Sequence, residues 1–195
     1  MRSALKVDLF RKIMLRKQLY SKAQDGAIYV PFIGDGDIAK EIYKDKKIYG
    51  ADLDPCRVKT ARVFLSDADI RVADCNKWPF QDIKEKFAVA DLDSYCNPYL
   101  PLIAFWNNAE KTKRVVVFGT DGMKQRIARG RCMKSLPSGD ETPSIGNEYR
   151  VQYNFWWQKH VIPFIEQTIS PSKIIEKRMY QRGMGMIYWG VIINV

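Results

Sequence analysis

The chain has 195 residues, 46% of them hydrophobic and 28% charged, which suits one domain with its own core and makes staples unnecessary. Cys56, Cys75, Cys96 and Cys132 form no C-x-x-C pair and His160 is the single histidine, so a zinc site or disulfide framework is not expected and reduced thiols in a cytoplasm are. No apolar run approaches bilayer width and the N-terminus lacks a signal-type stretch, so no membrane is expected, while 32 Lys plus Arg against 22 Asp plus Glu leave a net +10 that favours a polyanionic partner, nucleic acid first.

Residues 1–22 carry Arg2, Lys6, Arg11, Lys12, Arg16, Lys17 and Lys22 against the single acid Asp8. Leu5, Leu9, Ile13 and Leu19, with Phe10 and Met14 beside them, recur at roughly helical spacing. This predicts a basic amphipathic helix, an extension over 1–24 laid on a domain over 25–195. Arg11 and Arg16 are expected to meet phosphates.

From Ala27 onward, short apolar runs alternate with helical stretches. Strands are expected at Ala27–Phe32, Lys47–Leu53, Asp69–Ala73, Phe87–Leu92 and Arg114–Gly119. Helices are expected at Ile38–Lys44, at Pro55–Leu65 with Asp54 as N-cap, and at Pro98–Asn108. A turn-rich stretch holds Lys124, Arg126, Arg129, Arg131 and Lys134 with no acid among them, which predicts a basic loop suited to phosphate contact. Tyr149–Thr168 reads as a helix that Pro163 should kink. Lys173–Arg178 and Met186–Val195 close the chain as an antiparallel edge hairpin around Gly183 and Gly185. The fold expected is α/β: a doubly wound, mostly parallel seven-stranded sheet with an antiparallel C-terminal strand.

In such sheets ligands bind outside the carboxyl ends of the strands. Five of those ends carry Gly34-Asp35-Gly36, Asp52-Leu53-Asp54, Asp74-Cys75-Asn76, Asp91-Leu92-Asp93 and Gly119-Thr120-Asp121. Acids and glycines gathered on one rim point to a ligand rather than to core packing. Gly34 and Gly36 open the first turn to backbone approach, but Asp35 and Asp37 would repel a diphosphate there. Asp52 is placed to accept from ribose hydroxyls. Ribose with a cationic rather than a phosphate tail describes S-adenosylmethionine. Asp74, or the Cys75 backbone, would meet the adenine amino group.

The segments Tyr29-Val30-Pro31-Phe32-Ile33-Gly34-Asp35-Gly36, Gly50-Ala51-Asp52-Leu53-Asp54-Pro55 and Val72-Ala73-Asp74 resemble, in order and spacing, the first three motifs of the class I S-adenosylmethionine-dependent methyltransferases. Where amino-group enzymes usually place Asp before the proline, this chain has Val30. On the fourth strand, Asp91-Leu92-Asp93-Ser94-Tyr95-Cys96-Asn97-Pro98-Tyr99 is similar to the Asp-Leu-Asp-Pro-Phe/Tyr-Gly-Ser/Thr-Pro motif of the tRNA guanine-N2 dimethyltransferases, with Ser94, Cys96 and Asn97 as departures. The resemblance implies cofactor contacts at Phe32, Gly34, Asp35, Gly36, Asp52, Leu53, Asp74, Cys75 and Asp91. It implies that Asp93 accepts hydrogens from an exocyclic amine and that Tyr95 stacks on the base. The implied activity is methylation of a nucleic-acid base, RNA ahead of DNA, with no metal. The alternatives are an inactive domain of this fold that binds nucleic acid or protein, and a small-molecule or protein methyltransferase. Cys96 as a nucleophile and His160 as a base fit less well. Edge packing is the simpler account of Tyr180, Arg182 and Trp189.

Overall fold

The computed structural model describes residues 2–94, 97–122, 157–182 and 186–195. Seven strands, β1 Ala27–Val30, β2 Ile48–Asp52, β3 Asp69–Val72, β4 Phe87–Leu92, β5 Lys111–Asp121, β6 Lys173–Arg182 and β7 Met186–Asn194, form one sheet in the order β3-β2-β1-β4-β5-β7-β6. The first five pair in parallel, and β7 runs antiparallel to both β5 and β6. This is the expected α/β sheet, closed at one edge by the expected antiparallel hairpin, in which β7 pairs with β5 and β6 lies outermost. The apolar run Ile187–Ile193 is buried throughout, whereas β6 exposes Ile175, Lys177 and Arg178. The strand with no polar face takes the position covered on both sides.

Among the described residues, five α-helices flank the sheet: α1 Arg2–Tyr20, α2 Asp37–Tyr43, α3 Pro55–Phe64, α4 Tyr99–Asn108 and α5 Ile162–Ile169. Asp54 caps α3 as read, accepting from the Cys56 backbone N–H at 2.9 Å. Pro163 sits in the first turn of α5, where its missing N–H costs nothing, and one π-helical turn, Trp157–Val161, precedes it. Residues 149–156, the start of the helix expected there, lie outside the described residues.

Strand alternation divides the core between two layers. Val115 and Val117 of β5 pack with Leu102, Phe105 and Ile165 of α4 and α5. Val116 and Phe118 pack with Leu15 and Leu19 of α1, Tyr43 of α2 and Val58 of α3. In β4, Val89 belongs to the second group and Ala90 and Leu92 to the first. Asp91 and Asp93 therefore share the α1–α3 side. α1 meets that side along a line that shares Leu19 with the expected stripe but runs through Leu15 and Arg16 rather than Leu9. Phe10 is 62% exposed, Leu9 43% and Met14 38%, while Leu15, Arg16 and Leu19 are buried.

Candidate active site

The turn after β1 is folded around Ile33, whose N–H donates to Ala51 O at 2.9 Å and whose carbonyl accepts from Gly36 N at 3.0 Å. Gly34 and Gly36 both adopt left-handed backbone, with φ of 54° and 86°, where a Cβ is costly. A Cβ on Gly36 would also press on Ala61 at 3.3 Å, whereas one on Gly34 would meet only the Arg57 guanidinium at 4.0 Å. Gly36 thus lets α2 approach α3, and Gly34 leaves backbone bare. Asp52 fastens this turn to the next one. Its Oδ2 accepts from Gly34 N at 3.1 Å and its Oδ1 from Asp54 N at 2.9 Å.

A cavity of about 530 Å³ opens at the carboxyl ends of the strands, within the range of roughly 300–1,000 Å³ typical of ligand sites. On the β1–β2 side it is lined by Phe32, Gly34, Asp35, Gly36, Asp52 and Arg57. On the β4–β5 side it is lined by Lys12, Asp91, Asp93, Ser94, Thr120 and Tyr188, with Arg182 and Met186 at the end of the hairpin.

Two ion pairs from α1 define the β4 wall. Arg16 binds Asp91 with both arms of its fork, Nε to Oδ2 and Nη2 to Oδ1, each at 2.7 Å, and the Tyr43 hydroxyl donates to Oδ2 at 3.0 Å. The two charged side chains are 0% and 1% exposed. Burial works against the Arg16 charge, but the Asp91 and Asp93 carboxylates outweigh it and hold the guanidinium above its ordinary pKa. Burial likewise pushes the Tyr43 phenol well up, with Asp91 adding to it. One turn earlier, Lys12 Nζ lies 2.5 Å from Asp93 Oδ1, each side chain 15% exposed. Thr120 Oγ1 donates to the same oxygen at 2.6 Å. Four residues of helix advance about 6 Å and two residues of strand about 6.6 Å, so one helix face matches both carboxylates. Burial would raise the Asp93 carboxyl, yet Arg16 and Lys12 hold it below its ordinary value. Burial lowers the Lys12 ammonium, against the pull of Asp93.

Of the residues read from sequence, Phe32, Gly34, Asp35, Gly36, Asp52, Asp91 and Asp93 line this cavity. Leu53, beside Asp52, is 73% exposed. Asp74 and Cys75 do not line it, and the Cys75 carbonyl accepts from the Tyr29 hydroxyl at 3.0 Å. Asp91 is on the cavity wall with both its oxygens already taken by Arg16 and Tyr43. Arg16 corrects an expectation: fully buried on Asp91, it presents nothing to a phosphate. Arg11 is exposed, with its guanidinium 4.8 Å over the Tyr180 ring and bonded to the Tyr180 hydroxyl. Gly119 and Asp121 belong to packing rather than to the rim. A Cβ at Gly119 would overlap the Trp189 ring at 2.2 Å, and buried Asp121 accepts from the Tyr99 hydroxyl. His160 is half-buried away from the cavity. Tyr95, Cys96, Lys124, Arg126, Arg129 and Arg131 lie outside the described residues. Sequence reasoning placed Lys12 in the basic helix and Thr120 at a strand end without linking either to Asp93, and it passed over Tyr188. The available signal was two aspartates on one face of an otherwise apolar strand, which require cations from whatever helix covers them.

No protein-family model matches the chain, and no curated protein sequence is recognisably similar to it. Its fold, however, is that of Rossmann-like methyltransferases. The structure of the N-methyltransferase NodS from Bradyrhizobium japonicum WM9 aligns over 96% of this chain and 96% of its own at 7% identity and a TM-score of 0.61. Trm1 from Pyrococcus horikoshii, solved with S-adenosyl-L-methionine, aligns over 99% of this chain but 55% of its own at 10% identity and a TM-score of 0.61. The plantazolicin methyltransferase BpumL, solved with SAH, aligns over 94% of this chain and 82% of its own at 12% identity and a TM-score of 0.58.

Proposed function

We propose that this chain transfers a methyl group from S-adenosylmethionine to an exocyclic amine of a nucleic-acid base, RNA ahead of DNA. The cofactor end of the cavity suits that donor. The bare backbone at Gly34 admits close approach, and Asp52 lines the wall with lone pairs left for ribose hydroxyls. Asp35, Asp37 and Asp52 favour a ligand bearing ammonium and sulfonium over one bearing a diphosphate. Leu53, exposed beside Asp52, offers an apolar surface to adenine, with Asp74 and the Cys75 backbone toward its amino group. Because the Asp91 oxygens are held by Arg16 and Tyr43, contact along β4 falls to Asp93 instead. S-adenosylmethionine supplies an electrophilic methyl on sulfur, so the chain's own task is mainly alignment.

The observation that carries this reading is that the Asp93 carboxylate shares one cavity with the Gly34–Gly36 turn and Asp52. A carboxylate there accepts hydrogens from an amine whose lone pair is otherwise delocalised into the base. Tyr95 is assigned to stacking on that base. Exposed Arg11 and the Lys124, Arg126, Arg129 and Arg131 segment are assigned to phosphates. No helix among the described residues is long and apolar enough to cross a membrane.

Incubation with methyl-labelled S-adenosylmethionine and mixed RNA, DNA, protein and small amines, followed by mass analysis of the products, tests the proposal. Label on a base amine is expected. Label on protein or a small amine instead would replace the nucleic-acid assignment, and cofactor binding with no transfer to anything would support a binding-only domain.

A further inference from the structure

We propose that Lys12, delivered by α1, is the positioning residue for Asp93: together with Thr120 it fixes Oδ1, so that Oδ2 is the oxygen presented to the acceptor amine. This rests on the acceptor role assigned to Asp93 above. Lys12 and Thr120 converge on one atom, at 2.5 Å and 2.6 Å. Arg16 Nη2 lies 3.9 Å from Oδ2, beyond a hydrogen bond and already committed to Asp91. Both Lys12 and Asp93 line the cavity, and the Lys12 ammonium is backed by the Tyr188 ring, 5.1 Å from its centroid.

A pair wholly inside the core would only fasten the helix. A pair wholly in water would hold neither partner still. At 15% exposure each, the two groups are ordered by contacts on one side and reachable from the cavity on the other. The groups facing Asp93 are Lys12 and Arg16 from α1, Asp91 from its own strand and Thr120 from β5. Tyr43 of α2 acts on it only through Asp91. Arg182 of β6 lines the same cavity. Among the described residues, Lys12 is the one of these cations that touches Asp93 with no second carboxylate within bonding distance. Its charge favours the ionised, hydrogen-accepting form of Asp93.

The test compares K12M, K12R and the wild type by three readouts. Carbon-13 NMR of labelled aspartate carboxyls, with the Asp93 signal assigned by its loss in D93N, gives the Asp93 titration without any substrate. K12M should move that titration up by about one pH unit, and K12R should leave it near wild type. Affinity for S-adenosylhomocysteine should stay within about twofold in both, because Lys12 lies across the cavity from the cofactor turn. In methyl transfer, K12M should lower kcat rather than raise KM for the cofactor. The acid limb of its pH profile should shift by the same amount, each unit being tenfold in ionised fraction, and K12R should rescue most of it. Thermal melts of the variants confirm that each is folded. An Asp93 titration unchanged in folded K12M would overturn the proposal. If instead the wild type transfers methyl to nothing while K12M still shifts Asp93, the functional reading falls and the hold of Lys12 on Asp93 stands.

Discussion

Three ion pairs on α1 form a series in burial, and each does something different. Arg16–Asp91 is 0% and 1% exposed, Lys12–Asp93 is 15% on both sides, and Lys17–Glu41 is 48% and 51%. Their contact distances are nearly equal, 2.7, 2.5 and 2.6 Å. Solvent access rather than geometry therefore separates them. The first is a fastener whose charges must stay paired, because neither can reach water. The second is ordered yet faces a cavity, so its carboxylate remains usable. The third is screened by solvent and salt, and contributes little.

The sharpest way to break this comparison is to orphan one member of the buried pair. R16M leaves Asp91 buried with the Tyr43 hydroxyl but without its cation and should cost about 3–5 kcal/mol, read as a lower urea midpoint. Replacing both charges, as R16M/D91L, should recover much of that loss. A double variant no better than the single would show that the pair is not the fastener described. D93A addresses the middle pair. It should reduce methyl transfer about a hundredfold or more through lost alignment, with affinity for S-adenosylhomocysteine held. Full turnover in that variant would remove Asp93 from the acceptor role.

G119A asks whether a strand-end glycine serves packing rather than the rim. Its Cβ would fall 2.2 Å from the Trp189 ring, so a destabilisation of about 1–3 kcal/mol is expected, with cofactor affinity unchanged once stability is corrected for. The pH dependence is smaller. The folded Asp93 carboxyl lies below its ordinary 3.8, so its contribution is complete above that value and is lost as pH falls through the folded pKa. Urea titrations from pH 7 to 3 should show this loss in the wild type and lack that component in D93N. At the exposed end of the series, E41A should leave the melting temperature where it is, and a clear shift would mean that exposure is a poor guide to what these pairs do.

Much of the scaffold could be read from residue order. β4 spans Phe87–Leu92 as expected, α3 begins at Pro55 behind its Asp54 cap, and the parallel sheet followed from alternation. These features are local: periodicity, a cap and a turn each act over a few residues. Of the stripe read on α1, Leu19 is buried but Leu9 and the neighbouring Phe10 are exposed. Helical spacing reports that a face exists, but the partner surface selects which face is used. Here that surface carries Asp91, and it draws in Arg16. Thr120 was legible as a strand-end residue, but that Tyr188 stands opposite it across β5 and β7 comes from pairing between segments far apart in the chain, for which one sequence carries no local mark.

Sequence by itself settled the glycine turn, the acid that ends β2 and the aspartates at the end of β4, because short-range sterics and strand ends demand those residue types in place. Tertiary structure alone decided that Arg16 is withdrawn from any phosphate and that Lys12 reaches Asp93. An ionised side chain takes its role from the charges and solvent around it, and packing α1 against β4 is what sets both.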